Sequence, residues 1–158
     1  MKIENKAIVL SQGVTTDQRD KLNTLFKIVN GFKFSLDFNA VKLQTGHLPG
    51  ESMISVPANF TVSGLWEIEK KTTQKEILQL TARLIDPDKK QLGDIVTNEI
   101  VVELNSDNFW VHLVYGVMHI TKAGYYNFEV QIKSGESVLS TAKYRISVEL
   151  EEIKAPTI

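Results

Sequence analysis

Ile77-Leu78-Gln79-Leu80-Thr81-Ala82-Arg83-Leu84 places an apolar residue at every second position from Leu78, with Gln79, Thr81 and Arg83 between them. Successive side chains of a β-strand point to opposite faces, so this spacing puts Leu78, Leu80, Ala82 and Leu84 on a core face and the polar set in water. A helix would need its apolar residues three and four apart. The stretch ends at Asp86-Pro87-Asp88-Lys89. There proline sets φ for the second position of a turn, and the aspartates can accept hydrogen bonds from nearby backbone amides.

The same period continues toward the C-terminus. Ile95 to Leu104 is rich in β-branched residues, and Phe109 to Ile120 is a longer apolar and aromatic stretch with Gly116, where a bulge is expected. Tyr126, Phe128, Val130 and Ile132 alternate with Asn127, Glu129 and Gln131 before Ser134-Gly135-Glu136, and Val138 to Glu149 returns as the second arm of a hairpin. Toward the N-terminus, Ala7 to Ser11 and Phe60 to Glu69 read as strands. Lys70 to Lys75 reads as a turn and Leu48-Pro49-Gly50-Glu51 as a loop.

Thr16 to Phe38 admits two readings. Leu22, Leu25, Phe26 and Val29 have helical spacing, with Gly31 just past a helix end. Against this, Phe32, Phe34, Leu36 and Phe38 alternate, and Thr24 to Val29 is β-branched and aromatic enough for a strand. The strand reading is preferred, with one short helix in residues 16–30 as the alternative.

About eight strands result, without βα alternation, and this pattern belongs to an all-β, antiparallel β-sandwich of immunoglobulin-like architecture. Gly124-Tyr125-Tyr126 stands where such domains place a corner tyrosine, although ordinary packing aromatics explain it as well. A chain of 158 residues suits one domain, expected to span 1–150. Glu151 to Ile158 combines charge with Ala155-Pro156-Thr157 and is expected to fray.

Composition narrows the chemistry. Without cysteine there is no disulfide framework, zinc ribbon or thiol nucleophile. Eighteen basic and nineteen acidic side chains give a net charge of -1, so nucleic acid and acidic membranes are not expected partners. The apolar run Ala7 to Leu10 is too short for a signal-peptide core or a membrane span, and a cytoplasmic location is expected.

No local signature of a nucleotide loop, nucleophile elbow or zincin occurs, so no catalytic, cofactor or metal residue is assigned. His112 and His119, seven apart, would face opposite ways on an unbroken strand, and a bulge at Gly116 would restore a common face. They and His47 read as isolated histidines. Asp86, Asp88 and Asp94 suggest a calcium loop, but Lys90, Gln91 and Thr97 occupy the remaining ligand and glycine places, so a turn explains them better. Asn59-Phe60-Thr61 matches the glycosylation triplet by chance. Lys143-Tyr144-Arg145 interleaves base and aromatic as single-strand binders do, but reads better as an exposed strand face. Trp66 and Trp110 are the candidate residues for stacking on a sugar, if both are exposed.

The chain resembles a family of uncharacterised, single-domain bacterial proteins with a β-sandwich fold. The resemblance is carried by Val14-Thr15-Thr16-Asp17-Gln18-Arg19 with Lys21-Leu22, Val62 to Glu67 with Leu65-Trp66-Glu67, Arg83 to Asp88, and Gly124-Tyr125-Tyr126-Asn127-Phe128. Lys89-Lys90 departs from the glycine expected after Asp-Pro-Asp. The resemblance implies a strand over Leu22 to Val29 and a cytoplasmic location without a membrane anchor, and it implies no activity.

The functional expectation is a non-catalytic protein-interaction or assembly module with a protein partner or self-association. A small-ligand or carbohydrate-binding sandwich using Trp66 and Trp110 is the alternative. An assembly protein of a phage or secretion particle is a third reading.

Overall fold

The computed structural model describes residues 1–16, 23–69 and 74–154. The alternation at Ile77 forms one of nine strands among them. In chain order these are β1 (Ile3–Thr16), β2 (Asn23–Ile28), β3 (Gly31–Leu36), β4 (Ile54–Ile68), β5 (Glu76–Ile85), β6 (Gln91–Val102), β7 (Asn108–Ile120), β8 (Gly124–Ser134) and β9 (Ser137–Glu152). One helix, α1 (Phe38–Thr45), lies between β3 and β4. The strands make two sheets, β2-β1-β4-β7 and β3-β9-β8-β5-β6, and the expected β-sandwich is the fold.

The core is the sum of the inward positions of both sheets. Leu10, Phe60, Val62 and Trp66 come from the first sheet, and Leu78, Leu80, Tyr126, Phe128, Ile132 and Ile146 from the second; all are buried. Burial of each such side chain contributes about 1.5–3 kcal/mol, which makes this shared apolar layer the main source of stability. Within it Phe60 packs on Phe32, Tyr115 and Phe128, with ring centroids 5.4, 5.0 and 5.4 Å away.

The Thr16 to Phe38 question resolves toward strands over Asn23–Ile28 and Gly31–Leu36, as β2 and β3, whereas Phe38, read as the end of the alternating run, opens a helix. The part of that reading on residues 17–22 lies outside the described residues, as do residues 70–73 of the expected turn. A helix does occur, but later: α1 starts where the Asp37 carboxylate accepts from the amides of Asn39 (2.9 Å) and Ala40 (3.1 Å). An oxygen at that position satisfies amides that have no partner within the helix.

The antiparallel expectation is refined at one pair of strands, and the tail boundary is corrected. The sheets are not wholly antiparallel, because β3 pairs in parallel with β9 from Gly31↔Ser147 to Leu36↔Glu152. The link Val29-Asn30 carries the chain from one sheet to the other, and β3 then lies along β9 in the same direction. The tail does not begin at Glu151 either. Glu151 and Glu152 belong to β9, Lys33 pairs with Glu151 at 2.9 Å, and the Ile153 amide donates to Leu36 O at 3.0 Å. Charge combined with Ala155-Pro156-Thr157 suggested fraying, but β3 supplies a partner for the start of the segment. Residues 155–158 lie outside the described residues. Among the described residues, no helix is long and apolar enough to cross a membrane.

Candidate functional site

Two edge strands flank one side of the sandwich, β7 in the first sheet and β6 in the second. Both depart from regular geometry there. On β6, Gly93, Asp94 and Ile95 stand against Arg83 alone, because Ala82 pairs with Val96 and Leu84 with Leu92. Gly93 takes the left-handed φ of 67°. A Cβ at that position would also lie 2.8 Å from Cδ2 of His119, so glycine permits both the bend and the close approach of β7. On β7, Gly116 alone stands against Ala58 and Asn59 of β4. The alternation of β7 changes phase at this point: Leu113 is buried before it, Met118 and Ile120 after it. The bulge expected at Gly116 is present, with the additional residue on β4.

Between these bends lies a cleft of about 250 Å³. Phe60, Phe128, Tyr115 and Met118 give it aromatic and apolar walls, and Asp94, Arg83 and His119 bring polar groups to it. Tyr115 stacks on Phe60, and burial pushes its phenol up to about 12, so it remains a protonated donor at neutral pH. Its hydroxyl makes no hydrogen bond among the described residues. Asp94 likewise has no hydrogen bond or ion pair among them. His119 is oriented by Ser55, whose Oγ lies 2.8 Å from Nδ1.

Arg83 differs in being already engaged. Its guanidinium hydrogen-bonds Oε1 of Glu129, and Lys143 lies 3.0 Å from Oε2 of the same carboxylate. Burial works to raise the Glu129 pKa, but the hydrogen bonds from Lys143 and Arg83 prevail and hold it below the ordinary 4.5. A depressed carboxylate contributes stability above its unfolded value and loses it as pH falls through the folded one. Glu129→Gln is therefore expected to cost about 1–2 kcal/mol at neutral pH, discounted for the solvent around both cations. Urea titrations across acidic pH should show the gap to the parent protein narrowing below 4.5. A pH-independent gap would refute the assignment.

The sequence candidates fall into different places. Trp66 is 1% exposed and stacks on Phe109 at 5.8 Å inside the core. Trp110 follows Phe109 on β7, so it projects from the opposite face, where it stacks on His112 at 5.7 Å. The two indoles therefore form no common platform, because Trp66 shares its side of the sheet with its partner Phe109, and Trp110, one residue on, points to the other side. His112 accepts or donates through Nδ1 with Ser63 at 2.8 Å, and burial lowers its pKa. Ser55 and Ser63, which hold the two strand histidines, are eight positions apart on β4, roughly 26 Å at strand rise.

Asp86 acts in the turn: its Oδ1 accepts from the Lys90 amide at 2.8 Å, while Asp88 pairs with Lys122 at 2.6 Å. Lys143 and Arg145 lie on the outer face, Arg145 3.9 Å above the Tyr125 ring. Tyr144 reaches the other way, 2.9 Å from Val29 O. The cleft itself was missed in sequence. Its signals were Gly93 beside Asp94 inside a strand-like run and the long uncharged stretch ending at Ile120.

No protein-family model matches the chain, and no curated protein matches it. Among solved structures, the chain is similar to a β-glucuronidase from glycoside hydrolase family 2, with 12% identity and a TM-score of 0.45 over 61% of this chain and 11% of that one. It is also similar to the Bacteroides uniformis β-glucuronidase, with 12% identity and a TM-score of 0.46 over 60% of this chain and 13% of that one. The chain thus spans only a small part of either enzyme's length.

Proposed function

We propose that this protein is a non-catalytic interaction module that takes an extended segment of a partner protein onto the edge of β7, which no strand among the described residues covers, adding a strand to the four-stranded sheet. The observation that carries this reading is the makeup of that edge. From Phe109 to Ile120 it contains no proline and no Asp, Glu, Lys or Arg, while Val114 is 79% exposed and Val117 44%. An edge strand presents unpaired backbone donors and acceptors, and proteins usually protect it with lysine, proline or inward charge. The other edges here carry such groups: Lys27 in β2, Lys33 in β3, Asp94 and Glu99 in β6. An uncharged edge favours strand addition, in which main-chain hydrogen bonds supply affinity.

Val114→Lys tests this at a position where the fold has little at stake, with an expected stability change within about 0.5 kcal/mol. Proteins captured by the tagged parent from native lysate should be depleted at least tenfold with the variant. The same partner should slow hydrogen exchange of the Phe109 to Ile120 amides. A partner that stays bound to Val114→Lys and protects a different surface would overturn the reading.

A further inference from the structure

Resting on that reading of β7, we infer that the cleft between β6 and β7 is a socket for one bulky apolar side chain of the added strand, with a lysine or arginine two positions along the partner strand, on the same face. A strand laid along β7 continues the first sheet, and alternate side chains of that strand point across the gap toward β6. The cleft lies at this gap, about 250 Å³ in volume, and its interior is the aromatic group Phe60, Tyr115 and Phe128 together with Met118. It exists because both edge strands bend around it, β6 at Gly93–Ile95 and β7 at Gly116. Bulges of this kind re-aim or open an edge locally. In strand addition, pockets of this type supply the selectivity that main-chain pairing lacks.

The charge at the rim selects the next residue on that face of the partner strand. Asp94 is an exposed carboxylate without an ion pair among the described residues. Arg83, which also lines the cleft, makes no ion pair with it, its guanidinium being held by Glu129. A cationic neighbour on the partner strand is therefore the complementary choice, and an acidic one is repelled.

The probe is a set of fluorescein-labelled peptides with a threonine–valine alternating framework as long as β7. One guest position is phenylalanine, leucine or alanine, and the residue two positions along, on the same face of the peptide strand, is lysine or glutamate. Binding is read by anisotropy and its location by hydrogen exchange of the β7 amides. The phenylalanine and leucine guests are expected to bind roughly ten- to a hundredfold more tightly than alanine, the scale of burying such a side chain. Lysine at that same-face position is expected to bind better than glutamate, and Asp94→Lys to reverse that order. Equal binding of all guests with β7 protected, or a charge preference unchanged by Asp94→Lys, overturns the socket and leaves strand addition standing. If no peptide protects β7, both fail.

Discussion

Gly64→Ala is expected to lower the unfolding free energy by about 2–3 kcal/mol. Gly64 lies in the middle of β4, and a methyl built on it would overlap Cη2 and Cζ3 of the Trp66 indole. Trp66 is fully buried between the sheets and stacked on Phe109, so the ring has no free volume to enter. Close-packed interiors answer such an addition with off-rotamer side chains and backbone shifts. The indole also contributes a liability of its own, since Nε1 is buried with no hydrogen-bond partner among the described residues. An unmet buried donor costs about 1–3 kcal/mol, so Trp66→Leu loses packing but removes that burden. Combining Trp66→Leu with Gly64→Ala should therefore destabilise less than the sum of the two alone, by 1 kcal/mol or more, about the coupling of residues in contact. Urea unfolding of the parent, both single variants and the pair measures this directly. Strict additivity would show that the indole does not require the bare backbone at Gly64.

The second large effect is expected at Tyr126. Its hydroxyl accepts from the amides of Thr121 (2.9 Å) and Lys122 (3.1 Å) and donates to Lys122 O (2.6 Å). One buried oxygen thus closes the corner between the end of β7 and the start of β8. Tyr126→Phe keeps the ring in the core but leaves both amides without that acceptor, at about 2–3 kcal/mol. In a chain of this size that is a fall of roughly 5–10 °C in Tm. Faster hydrogen exchange at Thr121 and Lys122 should accompany it. A variant with unchanged Tm would mean that water serves those amides equally well.

These two positions mark what the sequence could and could not convey. Gly124-Tyr125-Tyr126 already suggested a corner, because the glycine and tyrosines precede an alternating strand. Strict alternation likewise made β5, β8 and β9 legible, since a half-buried strand needs it. The Trp66 environment was not legible. Nothing local says whether an indole at the middle of a strand faces core or solvent relative to an indole forty-odd positions later; the register of β4 against β7 decides it, placing Phe109 and not Trp110 beside Trp66. The cleft was hidden for the same reason. Its walls come from β4, β5, β6, β7 and β8, and only the pairing shifts at Gly93–Ile95 and Gly116 bring Asp94, Tyr115 and His119 to one opening. Helix α1 was overlooked because Asp37 lies between an alternating run and a mixed segment with no buried residue of its own.

The parallel pairing of β3 with β9 has a consequence for translation. Ser35 and its neighbour Glu151 on β9 are 116 residues apart, and β9 is the only strand beside β3 in its sheet among the described residues. At ordinary elongation speeds, β3 leaves the ribosome roughly 6–23 s before the strand that receives it. During that interval β1 and β4 can already pair, while Phe32 and Phe34 have no sheet to join. Nascent chains stalled before β9 should therefore be the form that holding chaperones retain, and release should coincide with emergence of the segment around Ser147 to Glu152.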